Sequence, residues 1–182
     1  MPRIKLISEK SDVPADRHPE FDAIVEVLGR VPGPFGILMR SPGLAQKVVE
    51  AGAHVRLKST LDPAQRELAV IAVAREKDAG YEWAAHVTVG RKAGLSEETI
   101  DAVRNRTDVS GLQPDERDII TFVRQLLQKN RVEQSVFDAL VERHDERWLV
   151  ELAATVGQYQ YISAINNTFD LQAAPDADQL PV

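Results

Sequence analysis

Glu82 and His86 stand four residues apart, so on a helix their carboxylate and imidazole share one face. Trp83, Ala84, Ala85 and Val87 surround His86 with apolar side chains. Glu67 lies upstream beside Arg66, and an antiparallel helix pair would return it towards the same face. Such a set suits acid–base work: an imidazole whose protonation is set by neighbouring carboxylates can donate to an oxyanion or deliver a proton to carbon. On spacing alone, the pair reads equally well as an ordinary surface contact worth roughly 0.2–0.5 kcal/mol. The other histidines sit in less promising settings. His18 is in a proline-flanked entry segment, His54 is beside Arg56 and Lys58, and His144 follows Arg143 at a helix boundary.

What the chain lacks narrows the chemistry. It has no cysteine, which removes thiolate nucleophiles, dithiol redox cycles, iron–sulfur clusters and cysteine zinc sites. One His with one or two Glu is an incomplete metal shell, so no metal is expected. No Walker loop, dinucleotide glycine loop or Gly-x-Ser-x-Gly elbow is present, and no cofactor is expected. The net charge of −6 argues against nucleic acid as a partner, because neutralising phosphates needs a basic face. No apolar stretch approaches the roughly 20 residues of a membrane span, and the first twelve residues lack the apolar core of an export signal. These features fit a soluble cytoplasmic protein. With 182 residues, a single domain is expected, with its core over about 19–170.

Helical periodicity runs throughout. Phe21, Ile24, Val25 and Leu28 mark one face of a first helix. Gly29 to Gly43, with four glycines and three prolines around Phe35, Ile37, Leu38 and Met39, reads as an apolar loop. Ser41-Pro42 and Asp62-Pro63 are helix starts. A helix from about Gly80 to Ala93 should stop at Gly94, and Ser96 should cap the next one. Further helices follow from Pro114, over Val132 to Arg143, and from about Asp145 to Phe169. Residues 172–182 have no period and read as a mobile tail or an arm on a neighbouring subunit. Period-2 alternation is absent, so the fold class is all-α. Pro63-Ala-Gln-Arg66-Glu67-Leu68 is echoed 51 residues later by Pro114-Asp-Glu-Arg117-Asp118-Ile119. A structural repeat or plain helix-start chemistry would each explain the echo.

Arg66-Glu-Leu-Ala-Val-Ile-Ala-Val-Ala74, Tyr81-Glu-Trp-Ala-Ala-His86 and Ala93-Gly-Leu-Ser96 together resemble the carboxymuconolactone decarboxylase family. Gly33-Pro-Phe35, Arg40-Ser-Pro-Gly-Leu44 and Asn166-Asn-Thr-Phe169 extend the resemblance to roughly residues 30–170. It implies the alkylhydroperoxidase-D-like helical fold and a homo-oligomer, trimer or hexamer. The peroxidase branch of that superfamily carries Cys-x-x-Cys-x-x-x-His; the cysteine positions are Ala79 and Glu82 here, so a thiol peroxidase mechanism is excluded.

The resemblance implies catalytic roles for His86, Glu82 and Glu67. For a small carboxylated lactone or related metabolite, Arg40, Arg56 and Arg66 are candidate partners of the substrate carboxylate, each also readable as a solvated arginine. Trp83 and Phe35 would shield the site from water. The expected reaction is cofactor-free decarboxylation or isomerisation. The alternative is a non-enzymatic oligomeric binding or scaffold protein with the same fold. A closed cavity with Glu82 and His86 convergent and an arginine opposite would favour the enzyme; a pocket filled by side chains, with the two exposed and apart, would favour the scaffold.

Overall fold

A computed structural model describes residues 2–181. Its α-helices are α1 (His18–Leu28), α2 (Gly33–Leu38), α3 (Pro42–Leu57), α4 (Pro63–Glu76), α5 (Gly80–Ala93), α6 (Glu97–Arg104), α7 (Pro114–Lys129), α8 (Gln134–Arg143) and α9 (Glu146–Thr168). Two short 3-10 turns, Lys10–Asp12 and Ala15–Arg17, precede them and carry no periodic signal in the sequence. No strand occurs among the described residues, so the chain is all-α. None of the described helices is long and apolar enough to cross a membrane. The described residues divide into two compact units. One holds the chain up to Lys58 with Ala164–Gln172, the other Ser59–Ser163 with the stretch from Ala173.

In the first unit α1 packs on α3, burying Ile24 against a face that includes Ala45 and Val49. The segment read as a loop, Gly29 to Gly43, contains α2, and this corrects the sequence reading. Pro34 sits in the first turn, where a fixed φ and a missing N–H cost nothing. Gly36 serves close approach rather than flexibility: the Ile7 amide donates to its carbonyl at 3.0 Å. A Cβ on Gly36 would stand 2.9 Å from the Ile7 carbonyl oxygen, a backbone atom that cannot swing aside. Gly36→Ala is therefore expected to lower stability by about 1–3 kcal/mol in urea unfolding. A midpoint equal to that of the unaltered chain would refute this account.

The second unit is built around α4. From Leu68 to Ala74 every residue of this helix is buried, the signature of a helix surrounded on all sides. Its start is a capping box, with the Ala64 amide donating to Asp62 (2.9 Å) and the Asp62 amide donating to Gln65 (3.2 Å). α5, α6 and α7 pack against it, and α8 packs on α7. The break between α4 and α5 is brief: Asp78 takes a left-handed φ of 46° and the Ala79 amide donates back to Ala74 (2.8 Å). A connection this short makes the two helices neighbours. Gly94, at φ 104°, ends α5, and the Ser96 hydroxyl accepts from the Thr99 amide (3.1 Å) to open α6.

The sequence echo reappears in the contacts. Arg66 donates to Glu67 at 3.2 Å in the first turn of α4, and Arg117 donates to Asp118 at 2.7 Å in the first turn of α7. Each acid then reaches the following helix: Glu67 meets His86 on α5, and Asp118 meets Arg143 on α8. In the carboxyl-terminal stretch one side chain has several partners. Asp178 accepts hydrogen bonds from Trp83, Arg91 and Arg104 within the same unit. A lone carboxylate facing those three donors is enough to hold an otherwise irregular segment in place.

Candidate functional site

His86 projects from the middle of α5, where one helical turn carries it back over Glu82. Its Nε2 lies 3.4 Å from Glu82 Oε2, and its Nδ1 lies 2.7 Å from Glu67 Oε2 across the α4–α5 pair. Glu67 and Glu82 are 2% and 4% exposed, so both carboxylates are nearly dry. Arg66 donates through Nε to the second Glu67 oxygen, Oε1, at 3.2 Å. Tyr159 of α9 sets its ring edge-on to the imidazole, with centroids 4.9 Å apart and planes at 83°. Two carboxylates, one imidazole and one guanidinium thus converge within the second unit. Among the described residues no group of three or more His, Asp or Glu side chains is arranged to hold a metal ion.

The electrostatics follow from this enclosure. Burial pushes the His86 imidazole towards its neutral form, but the hydrogen bonds and charges of Glu67 and Glu82 outweigh burial and raise its pKa to about 9. Burial likewise works against the Glu67 carboxylate, and the His86 and Arg66 contacts overcome it, holding its pKa below the ordinary carboxylate value. Near neutrality the imidazole is a cation held between the Glu67 carboxylate and the Glu82 side chain. Buried charges tolerate such burial only when paired, and here each has a partner.

This arrangement ties stability to pH. The folded-state pKa of His86 lies above its ordinary 6.5, so the stabilisation is complete below about pH 6.5 and is lost as pH climbs through about 9. For Glu67 the shift is downward, so its share is present above about pH 4.5 and is lost as pH falls further. Urea unfolding is therefore expected to show a loss on the order of 3 kcal/mol between pH 6.5 and 9.5. The slope should vanish in His86→Gln. A flat profile in the unaltered chain would refute the pairing.

The remaining residues singled out in the sequence fall elsewhere. Trp83 is fully buried on α5 and donates its indole N–H to Asp178 at 3.0 Å. Phe35 and Arg40 belong to the first unit. Phe35 is buried in α2, and Arg40 donates to the Lys5 carbonyl at 2.7 Å while lining an apolar groove of about 580 Å³ with Ile4, Leu44 and Phe169. Arg56 is exposed near the end of α3. Nothing in the sequence marks Tyr159 as a neighbour of His86. No local signal links positions so far apart in the chain.

Residues 42–125 match the profile of the carboxymuconolactone decarboxylase family. Among solved structures, the chain is similar to an uncharacterized peroxidase-related protein from Ralstonia eutropha JMP134, described as an alkylhydroperoxidase AhpD core. That likeness has a TM-score of 0.78 and 20% identity, covering 96% of this chain and 93% of that one. A variant of the debrominase Bmp8 in complex with 2,3,4-tribromopyrrole matches with a TM-score of 0.75 and 16% identity, over 96% of this chain and 95% of that one. An uncharacterized peroxidase-related protein from Silicibacter sp. TM1040 gives a TM-score of 0.75 and 16% identity, over 99% and 96%. No curated protein matches the chain. At these identities the likeness establishes the fold, which is alkylhydroperoxidase-D-like.

Proposed function

We propose, from the match of residues 42–125 to the carboxymuconolactone decarboxylase family profile, that the protein is a cofactor-free acid–base enzyme that decarboxylates or isomerises a small carboxylated lactone or related metabolite. The observation that carries the reading is His86 held between Glu67 (2.7 Å) and Glu82 (3.4 Å) with a pKa of about 9. The two contacts differ in kind. Nδ1 is fixed by a normal hydrogen bond, which orients the ring, whereas the looser Nε2 contact can be given up to a substrate.

In a γ-carboxy butenolide the bond to the carboxylate carbon breaks and carbon dioxide leaves. The electron pair moves through the alkene onto the lactone carbonyl as a dienolate. His86 Nε2–H donates to that oxyanion or passes its proton to carbon, and the neutral imidazole regains a proton from solvent. Arg66 uses Nε on Glu67, and its Nη groups supply the cation for a substrate carboxylate. A thiol route is closed because the chain has no cysteine. Convergence of Glu82, His86 and Arg66 weighs against a pure scaffold.

The test is turnover by the purified chain of 4-carboxymuconolactone and a panel of small carboxylated lactones, followed as loss of substrate, with release of carbon dioxide separating decarboxylation from isomerisation. One similar structure is a debrominase bound to tribromopyrrole, so a brominated pyrrole carboxylate belongs in the panel as the arm that separates the two chemistries. No turnover of any lactone would overturn the reading.

We further propose a homo-oligomer, trimer or hexamer. Val150, Ala153, Ala154, Gly157 and Tyr161 form an exposed, uncharged stripe on α9, with Val150 67% and Tyr161 36% exposed. Faces of this kind are usually covered by a partner. Light scattering at micromolar concentration should report a multiple of the 20.2 kDa chain; a monomer would refute it.

A further inference from the structure

The carboxylate of Asp178 sits in a receptor that is more elaborate than a tether requires. Trp83 Nε1 donates to Oδ1 at 3.0 Å, Arg91 donates to Oδ2 at 2.9 Å, and Arg104 bridges both oxygens at 3.0 Å each. The Arg104 guanidinium also lies over the Trp83 ring, 5.5 Å from its centroid, which helps to hold the guanidinium in orientation. Trp83 is fully buried, so its indole N–H has no access to water and needs an acceptor. Burial disfavours the Asp178 anion, but these donors outweigh it and keep the carboxyl ionised. The donors come from α5 and α6, whereas the acceptor comes from an irregular segment with little other attachment. Around it Ala174, Pro175, Asp176 and Gln179 are exposed, and Leu180 is only partly buried against the core. Arg91 also pairs with Glu97 and Arg104 with Asp101, so each guanidinium is held in place while its Nη2 donor faces Asp178. Two such cations and one buried N–H are the recognition chemistry of a carboxylate of any origin.

We propose that Trp83, Arg91 and Arg104 form a carboxylate-binding site, filled in the resting chain by Asp178, and that residues 173–181 are a strap which a small carboxylate displaces. The receptor and the candidate catalytic cluster share a helix, since Trp83 follows Glu82 directly and precedes His86 by less than one turn. A carboxylate arriving at the receptor would therefore free the strap at the start of the helix that carries the acid–base pair. The proposal does not depend on the decarboxylase reading, because occupancy of the receptor can be followed without turnover.

The experiment is hydrogen exchange of the full-length chain, following the amides of residues 173–181 against increasing acetate, benzoate or malonate, with chloride at matched ionic strength as the control. Exchange of the strap should rise saturably with carboxylate and stay level with chloride. In Asp178→Asn the occupant keeps its shape but loses its charge, so the carboxylate concentration for half-release should fall about tenfold. Arg104→Gln should abolish the carboxylate-specific response in that background. Strap exchange that ignores carboxylate in both the unaltered chain and Asp178→Asn would overturn the proposal. So would a half-release concentration unchanged by Asp178→Asn, since Asp178 would then not be the competing occupant.

Discussion

Replacing His86 with alanine is expected to lower turnover of the carboxylated lactone about a thousandfold, the middle of the range for loss of a positioned general acid. The size follows from how the imidazole is held. Glu67 fixes Nδ1 at 2.7 Å, so the ring does not have to find its orientation during the reaction. Truncation also removes the cation that Glu67 and Glu82 share, leaving Glu67 with Arg66 alone. Loss of activity should therefore come with loss of the stability slope between pH 6.5 and 9.5, and imidazole added to the alanine chain should restore part of the rate. Steady-state rates on the best substrate of the panel, at pH 7, decide the matter. An unchanged kcat would remove His86 from the chemistry.

Glu67→Gln should produce the second large effect, and its pH dependence separates positioning from bulk damage. The amide keeps an acceptor near Nδ1 but removes a negative charge that helps to raise the imidazole to about 9. If His86 returned fully to the ordinary 6.5, its protonated fraction at pH 8 would fall from about nine-tenths to about three-hundredths. The rate loss from protonation at pH 8 is then at most about thirtyfold, and Glu82 keeps it below that ceiling. At pH 6 the imidazole is mostly protonated in either protein, about three-quarters or more, so the loss from protonation should shrink to about 1.3-fold. The alkaline limb of the rate profile should move to lower pH by the same shift that NMR titration of the imidazole reports. A loss of equal size at pH 6 and pH 8 would mean that Glu67 acts through something other than the charge of His86.

Much of this could be read from the chain because it is written in short-range chemistry. Gly94 had to end α5, since at φ 104° a side chain would be strained. Asp62-Pro63 opens α4 through contacts that span three residues. The placing of Glu82 under His86 is one helical turn. What stayed hidden depended on distance along the chain or on residues with two uses. Gly36 and Pro34 look like loop formers, yet one admits the Ile7 backbone and the other starts a helix. Tyr159 meets His86, and Asp178 meets Trp83, only because the folded second unit brings remote segments together. No periodicity encodes those meetings.

The paired helix starts give the molecule an internal control. Glu67 and Asp118 both sit beside an arginine in a first turn, and both reach a basic side chain on the next helix. Only the partner of Glu67 can lose its charge within the ordinary pH range, because the Asp118 partner is a guanidinium. A carboxylate infrared band that shifts at Glu67 between pH 7 and 10 while the Asp118 band stays still would isolate the imidazole from every global effect of alkali.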